Sequence, residues 1–149
     1  MIARTVSALG VLCLASALAF SLQDDSPKQE TAMSPMRVHY LEIVTPDVDA
    51  TCTGLAAMHG VTFSDPVPEL GFARTAERPD GALLGVRAPM RETEEPVVRP
   101  YVLVEDIEAA VKAAVEHGGE VALPPMEIPG KGRFAIYLQG GIQHGLWQL

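Results

Sequence analysis

One acid and one base stand inside runs that otherwise read as buried strand: Glu42 in VHYLEIV, residues 38–44, and Arg99 in VVRPYVLV, residues 97–104. A tyrosine lies two positions from each, Tyr40 before Glu42 and Tyr101 after Arg99. Strand side chains alternate between faces with period two, so Tyr40, Glu42 and Val44 share one face, as do Arg99, Tyr101 and Leu103. With the two runs laid in one register, these become a single polar face. The other face, His39, Leu41 and Ile43 with Val98, Pro100 and Val102, is largely apolar and suits packing under helices. On the polar face Arg99 can engage a carboxylate or carbonyl of a small molecule, and Glu42 can act as hydrogen-bond acceptor or base. The same two charges can instead neutralise each other where the strands meet; both readings stay open.

The other reactive side chains have plainer explanations. His59 and His117 each precede a glycine that ends a predicted helix, where imidazole bonds the last carbonyls or favours the helix dipole. Cys52 falls on a buried helical stripe and reads as a small core residue. Arg74 and Arg87 are strand residues of the kind that are solvated or paired, and Trp147, the one tryptophan, reads as core or as a seam between two copies. His144, on the turn into the last strand, is a candidate pocket residue. The chain contains no P-loop, dinucleotide fingerprint, nucleophile elbow or zinc-finger spacing.

The elements that must position these residues repeat. VHYLEIVTPDVDATCTGLAAMHG, from Val38, aligns without a gap on VVRPYVLVEDIEAAVKAAVEHGG, from Val97, at an offset of 59 residues. Each copy has a strand rich in β-branched and aromatic residues, then an aspartate placed to cap a helix (Asp47, Asp106), then a helix closed by glycine (Gly60, Gly119). Ile107, Ala110, Val111, Ala114 and Val115 follow the spacing of a buried stripe, matched by Val48, Thr51, Cys52, Leu55 and Ala56. Three strands are expected after each helix: 62–64, 71–75 and 83–87 in the first copy, 120–123, 133–138 and 146–149 in the second. The charged linker RETEEP, residues 91–96, separates the copies and is expected to face solvent. The fold class is therefore α+β, with two tandem βαβββ modules at about 37–90 and 97–149.

Residues 1–22 hold one cation, Arg4, an apolar run of 15 residues from Val6 to Phe20, and an A-x-A pattern at Ala17 and Ala19. This reads as a signal peptide, too short to span a bilayer comfortably, so a membrane contact would arise only through an uncleaved signal. Export to a periplasmic or extracellular location is expected. Residues 23–36 are polar and proline-punctuated, a tether. After the signal the chain keeps all 19 acidic residues and 10 of its 11 basic ones, a net charge near −9, which disfavours nucleic acid and anionic lipid. Cys13 leaves with the signal, so Cys52 cannot form an internal disulfide.

HYLEIVTPDVDA, RPYVLVEDIEAAVKAAVEHGGEV and the closing GGIQHGLWQL resemble the vicinal oxygen chelate superfamily, the fold of glyoxalases, bleomycin-resistance proteins and extradiol dioxygenases. The resemblance covers nearly all of residues 37–149. It implies curved mixed sheets enclosing a cleft, with helices outside, and a homodimer. It also implies that metal-using members draw ligands from the first and last strands of each module. Those positions fall here on Tyr40 and Arg99, and near Val86 and on Gln148, a set without good ligands and with one permanent cation. No metal or other cofactor is expected. The expected cleft residues are Tyr40, Glu42, Arg99, Tyr101, Gln148 and His144. The expected function is an exported domain that binds a small polar organic molecule without metal. A lyase, isomerase or dioxygenase-type enzyme of the same superfamily, and a non-catalytic envelope scaffold, are the alternatives.

Overall fold

The computed structural model describes residues 36–149. The signal expected over 1–22 and all but the last residue of the tether expected over 23–36 lie outside the described residues.

The chain runs β1 (Val38–Val44), α1 (Val48–His59), a short 3-10 turn (Pro68–Leu70), β2 (Arg74–Glu77), β3 (Leu83–Arg87), β4 (Val97–Leu103), α2 (Ile107–Glu116), β5 (Glu120–Ile128), β6 (Gly132–Gln139) and β7 (Ile142–Gln148). All seven strands join one mixed sheet in the order β2-β3-β1-β4-β7-β6-β5. The two first strands, β1 and β4, lie antiparallel at its centre, and each pairs in parallel with the last strand of its own module, β3 or β7. The repeat is thus a local two-fold: the same offset of 59 carries Tyr40 to Arg99 and Glu42 to Tyr101. The direct pairs across the seam are Tyr40 with Tyr101 and Glu42 with Arg99.

Helix α1 lies against β3, and α2 against β5, β6 and β7. Asp106 caps α2 by accepting from the backbone N–H of Glu108 and Ala109 at 3.0 Å each. Asp47 stands at the same place before α1, yet its side chain makes no capping bond. Ile107, Ala135 and Leu146 form the core under α2. The stripe is shorter than expected: Val115 is exposed, and in α1 only Cys52 is fully buried. With the helices set to the sides, the outer face of β1 and β4 is half covered, and Val98 is 59% exposed.

The first module has one strand fewer than expected, because 62–64 does not become a ladder. Ser64 N–H donates to the Thr75 carbonyl at 2.7 Å, but the return bond from Thr75 N–H ends on the Ser64 hydroxyl instead of a carbonyl, at 3.0 Å. Pro66 and Pro68 then withhold two donors, and only an isolated bridge between Val67 and Ala73 follows. The strand expected at 71–75 starts later, at Arg74, after consecutive left-handed residues Gly71 and Phe72 (φ 63° and 62°).

Candidate ligand cleft

The concave face of the sheet bounds a cavity of about 450 Å³. Tyr40, Glu42, Arg99 and Tyr101 all line it, as their alternation requires. Two glycines let the tyrosines lie flat on the sheet. Gly85 sits under the Tyr40 ring and Gly145 under the Tyr101 ring, and a methyl group at either would overlap the ring above it.

The floor is a buried charge network. Glu42 Oε1 accepts from Arg87 Nε at 2.6 Å, and Oε2 accepts from Arg99 Nη1 and, at 3.2 Å, from the Tyr101 hydroxyl. Glu42, Arg87 and Arg99 are each no more than 5% exposed. Arg87 turns its other edge to Glu94 in a two-pronged pair, Nη1 to Oε2 at 2.9 Å and Nη2 to Oε1 at 2.6 Å. The fork holds the Glu94 carboxyl down to about 2, and the Arg87 guanidinium is held above its ordinary value by the two carboxylates in spite of its burial. Arg99 directs Nε, at 2.9 Å, and Nη2 to the amide oxygen of Gln143. Both phenols are pushed far above the usual tyrosine range, chiefly by burial, and stay protonated. The Tyr40 hydroxyl is buried with no hydrogen-bond partner among the described residues. An orphaned polar atom of this kind costs about 1–3 kcal/mol.

The facing wall is apolar. Tyr101, Phe134 and Trp147 cluster with ring centroids 5.8–6.4 Å apart, and Trp147 Nε1 donates to the Lys131 carbonyl at 3.0 Å.

Two expected cleft residues lie elsewhere. Gln148 is on the opposite face, where its Oε1 accepts from the backbone N–H of Ile107 at 3.0 Å and so caps the start of α2. His144 stacks on Tyr137 with centroids 5.1 Å apart, also away from the cavity. The cause is one of phase. In β7 the pairs Tyr101 with Gly145 and Leu103 with Trp147 turn residues 143, 145 and 147 inward, and a slip of one residue reverses every side chain. The same slip placed Val86 in the expected metal set, although Arg87 is its cleft-facing neighbour. The expectation that Arg87 is merely solvated or paired is corrected only in its first half: it is paired, and at the centre of the site. The linker 91–96 is also not wholly solvent-facing, since Glu94 turns in to Arg87 and accepts from Met90 N–H at 2.7 Å, which folds the segment along the cleft rim. Gln143, Glu94 and Phe134 were not foreseen.

Of the minor candidates, His117 Nδ1 donates to the Ala113 carbonyl at 2.8 Å, a helix-end bond, and Arg74 pairs with exposed Asp49 at 3.0 Å. Cys52 is buried, and its thiol is raised by that burial. His39 occupies an irregularity in the β1 register, its ring 5.4 Å from that of Trp147.

On the first and last strands, where the resemblance would look for ligands, the cleft-facing residues are Tyr40 and Arg99, and Arg87 and Trp147. Two permanent cations, a protonated phenol and an indole do not suit a divalent ion, and the two carboxylates beside them, Glu42 and Glu94, each have both oxygens bound to guanidinium. Among the described residues no three His, Cys, Asp or Glu side chains gather as a metal set.

No family model matches the sequence. Proteins of Mycobacterium bovis and Mycobacterium tuberculosis named "Putative glyoxylase CFP32" are each 28% identical over 116 residues, covering 74% of this chain and 44% of theirs. The chain therefore spans less than half the length of the curated relatives it matches. Among solved structures, a hypothetical protein of Bacillus halodurans, BH1468, aligns with TM-score 0.63 at 10% identity over 78% of this chain and 96% of its own. Methylmalonyl-CoA epimerase of Mycobacterium tuberculosis aligns with TM-score 0.60 at 15% identity, over 78% and 91%. A Streptomyces coelicolor methylmalonyl-CoA epimerase in complex with 2-nitronate-propionyl-CoA aligns with TM-score 0.57 at 20% identity, over 77% and 98%. The chain is thus similar in sequence to these mycobacterial proteins and shares its fold with the methylmalonyl-CoA epimerases, whose fold is that of the vicinal oxygen chelate superfamily.

Proposed function

We propose that this chain is an exported, metal-independent member of the superfamily whose cleft binds a small polar organic molecule. The observation that carries the reading is the buried Arg87–Glu42–Arg99 bridge, which fills with fixed charge the place where a chelating member would gather metal ligands. Guanidinium donors do there, without an ion, what a Lewis acid would do: they hold and polarise an oxygen. Binding is favoured over turnover because Glu42, the carboxylate at the centre of the floor, has both oxygens engaged by guanidinium and phenol donors and offers no open oxygen to a ligand. The test is metal analysis of the purified full chain, together with binding screens before and after chelation. Ligand binding that survives chelation supports the reading; a stoichiometric divalent ion whose removal abolishes an activity overturns it.

A second reading, an isomerase or lyase, draws support from the fold shared with the methylmalonyl-CoA epimerases. It requires Glu42 to be released from at least one guanidinium when substrate enters. Pairing of two copies also belongs to the proposal: β2 and β5 leave open edges, and Val98 and Ile142 are exposed apolar residues. Light scattering that finds a monomer at micromolar concentration overturns that part.

A further inference from the structure

Gln143 occupies Arg99 in a way that describes a ligand. Its Oε1 receives both the Nε and the Nη2 hydrogens of the guanidinium, the edge on which arginine ordinarily grips a carboxylate. A guanidinium has no acceptor, so it must be the amide oxygen that faces it. An uncharged carbonyl thus already sits at the cleft end of the network, on a half-buried side chain from β7 that packs into no core cluster.

The charges around it balance. Arg87 and Arg99 are matched by Glu42 and Glu94, all four lining the cavity, and the exposed rim adds one charge of each sign, Arg91 and Glu69, with no ion pair between them. A carboxylate ligand on Arg99 would add an unmatched negative charge beside Glu42 in a poorly solvated place, in a chain whose net charge is already −8. A neutral carbonyl adds none. Beside this polar network the cavity is mostly apolar, and its Tyr101, Phe134 and Trp147 wall takes a flat apolar body.

We infer that the cleft takes an uncharged carbonyl compound on an aromatic frame, its carbonyl oxygen displacing Gln143 Oε1 from the Nε and Nη2 edge of Arg99 while its ring lies on the aromatic wall. This rests on the cleft-binding reading above and narrows it to one ligand class. Gln143 is then a specificity residue, an internal competitor that any ligand must displace.

Benzamide and benzoate have nearly the same shape and differ in charge, so they separate the classes. Their titration into the full chain is followed by calorimetry and by the fluorescence of Trp147, the chain's one tryptophan, which stands in the wall. Benzamide is expected to bind and benzoate to bind at least about tenfold more weakly. Gln143→Ala is expected to tighten benzamide by about fivefold to tenfold, the factor recovered when a competing conformation is removed. Gln143→Glu, which puts a carboxylate on the same guanidinium edge, is expected to abolish the binding, with urea unfolding confirming that both variants are folded. Benzoate binding as tightly as benzamide, or a Gln143→Ala affinity equal to wild type, overturns the inference and leaves the cleft as a binding site of another class. Failure of both probes to bind either the wild type or folded Gln143→Ala overturns the inference and the cleft-binding reading together.

Discussion

Replacing Glu42 by Gln tests whether the buried bridge is the keystone of the central seam. The carboxylate serves two guanidiniums at once and is itself 5% exposed, so its neutralisation leaves more positive charge inside than the network can match. Arg87 retains Glu94, but Arg99 is left with only a phenol and an amide oxygen. Losing one partner of a buried ion pair costs about 3–5 kcal/mol, and the lower end applies here because glutamine keeps one acceptor oxygen. That is a large share of the roughly 5–15 kcal/mol by which a domain is stable. Arg99→Gln is the milder change, since Glu42 keeps Arg87. The double variant Glu42→Gln/Arg99→Gln removes both members of the central pair, and the two costs overlap by about 1–3 kcal/mol. Urea unfolding of wild type, both singles and the double, monitored by Trp147 fluorescence at constant m-value, closes the cycle. A Glu42→Gln cost below about 1 kcal/mol, or additive singles, would refute the reasoning.

Glu94 gives a pH signature whose sign is fixed by its depressed carboxyl: its contribution is complete above the unfolded value of 4.5 and disappears as pH falls toward about 2. The stability difference between wild type and Glu94→Gln, measured by urea midpoints, is therefore expected to be flat from pH 7 to about 5, on the order of 3 kcal/mol at most, and to shrink below that; a difference that grows on acidification would be contrary. Gly145→Ala forces a methyl group into the Tyr101 ring and is expected to cost about 1–3 kcal/mol, whereas Gly54→Ala, in the interior of α1 with open space around it, is expected to stabilise by about 0.5–1 kcal/mol. Thermal unfolding of the two variants reads both signs. Cys52 is expected to resist an aromatic disulfide reagent in the native protein and to react at once in urea; rapid native labelling would contradict its burial.

The centre of the sheet was legible because β1 and β4 carry long runs with alternation on both faces, which puts Tyr40, Glu42, Arg99 and Tyr101 on one face; the repeat set Tyr40 opposite Arg99, whereas the antiparallel pairing sets Tyr40 opposite Tyr101 and Glu42 opposite Arg99. The last strand was not. In GGIQHGLWQL the consecutive Leu146 and Trp147 are both buried, one under α2 and the other in the cleft, while Ile142 is exposed. Hydrophobicity there has no period of two, and only the pairing of Leu103 with Trp147 settles which face is which. Arg87 and Glu94 were hidden for another reason. A charged residue at the end of a strand and an acid in RETEEP each read as solvated, and their seven-residue separation says nothing of a fold that turns the linker back on itself. Gly85 and Gly145 did carry a usable signal, since a glycine inside an otherwise apolar strand marks a close approach by something large.

The two-fold that organises the backbone is broken by its side chains, and the break gives the cleft its direction. Tyr40 corresponds to Arg99, Glu42 to Tyr101, and Arg87, the partner of Val44, to Trp147, the partner of Leu103. At each of the three related pairs one module contributes a charge and the other an aromatic ring. Because β1 and β4 run antiparallel, those substitutions do not alternate around the cavity; they gather Glu42, Arg87 and Arg99 into one connected network and Tyr101 and Trp147, with Phe134, into one wall. A symmetric floor would accept a ligand in two orientations of equal energy. This one sets a polar edge beside an apolar edge, with Tyr101 bonding Glu42 through its hydroxyl and facing Trp147 with its ring, and under the proposed reading a carbonyl compound has a single favourable way to lie in it.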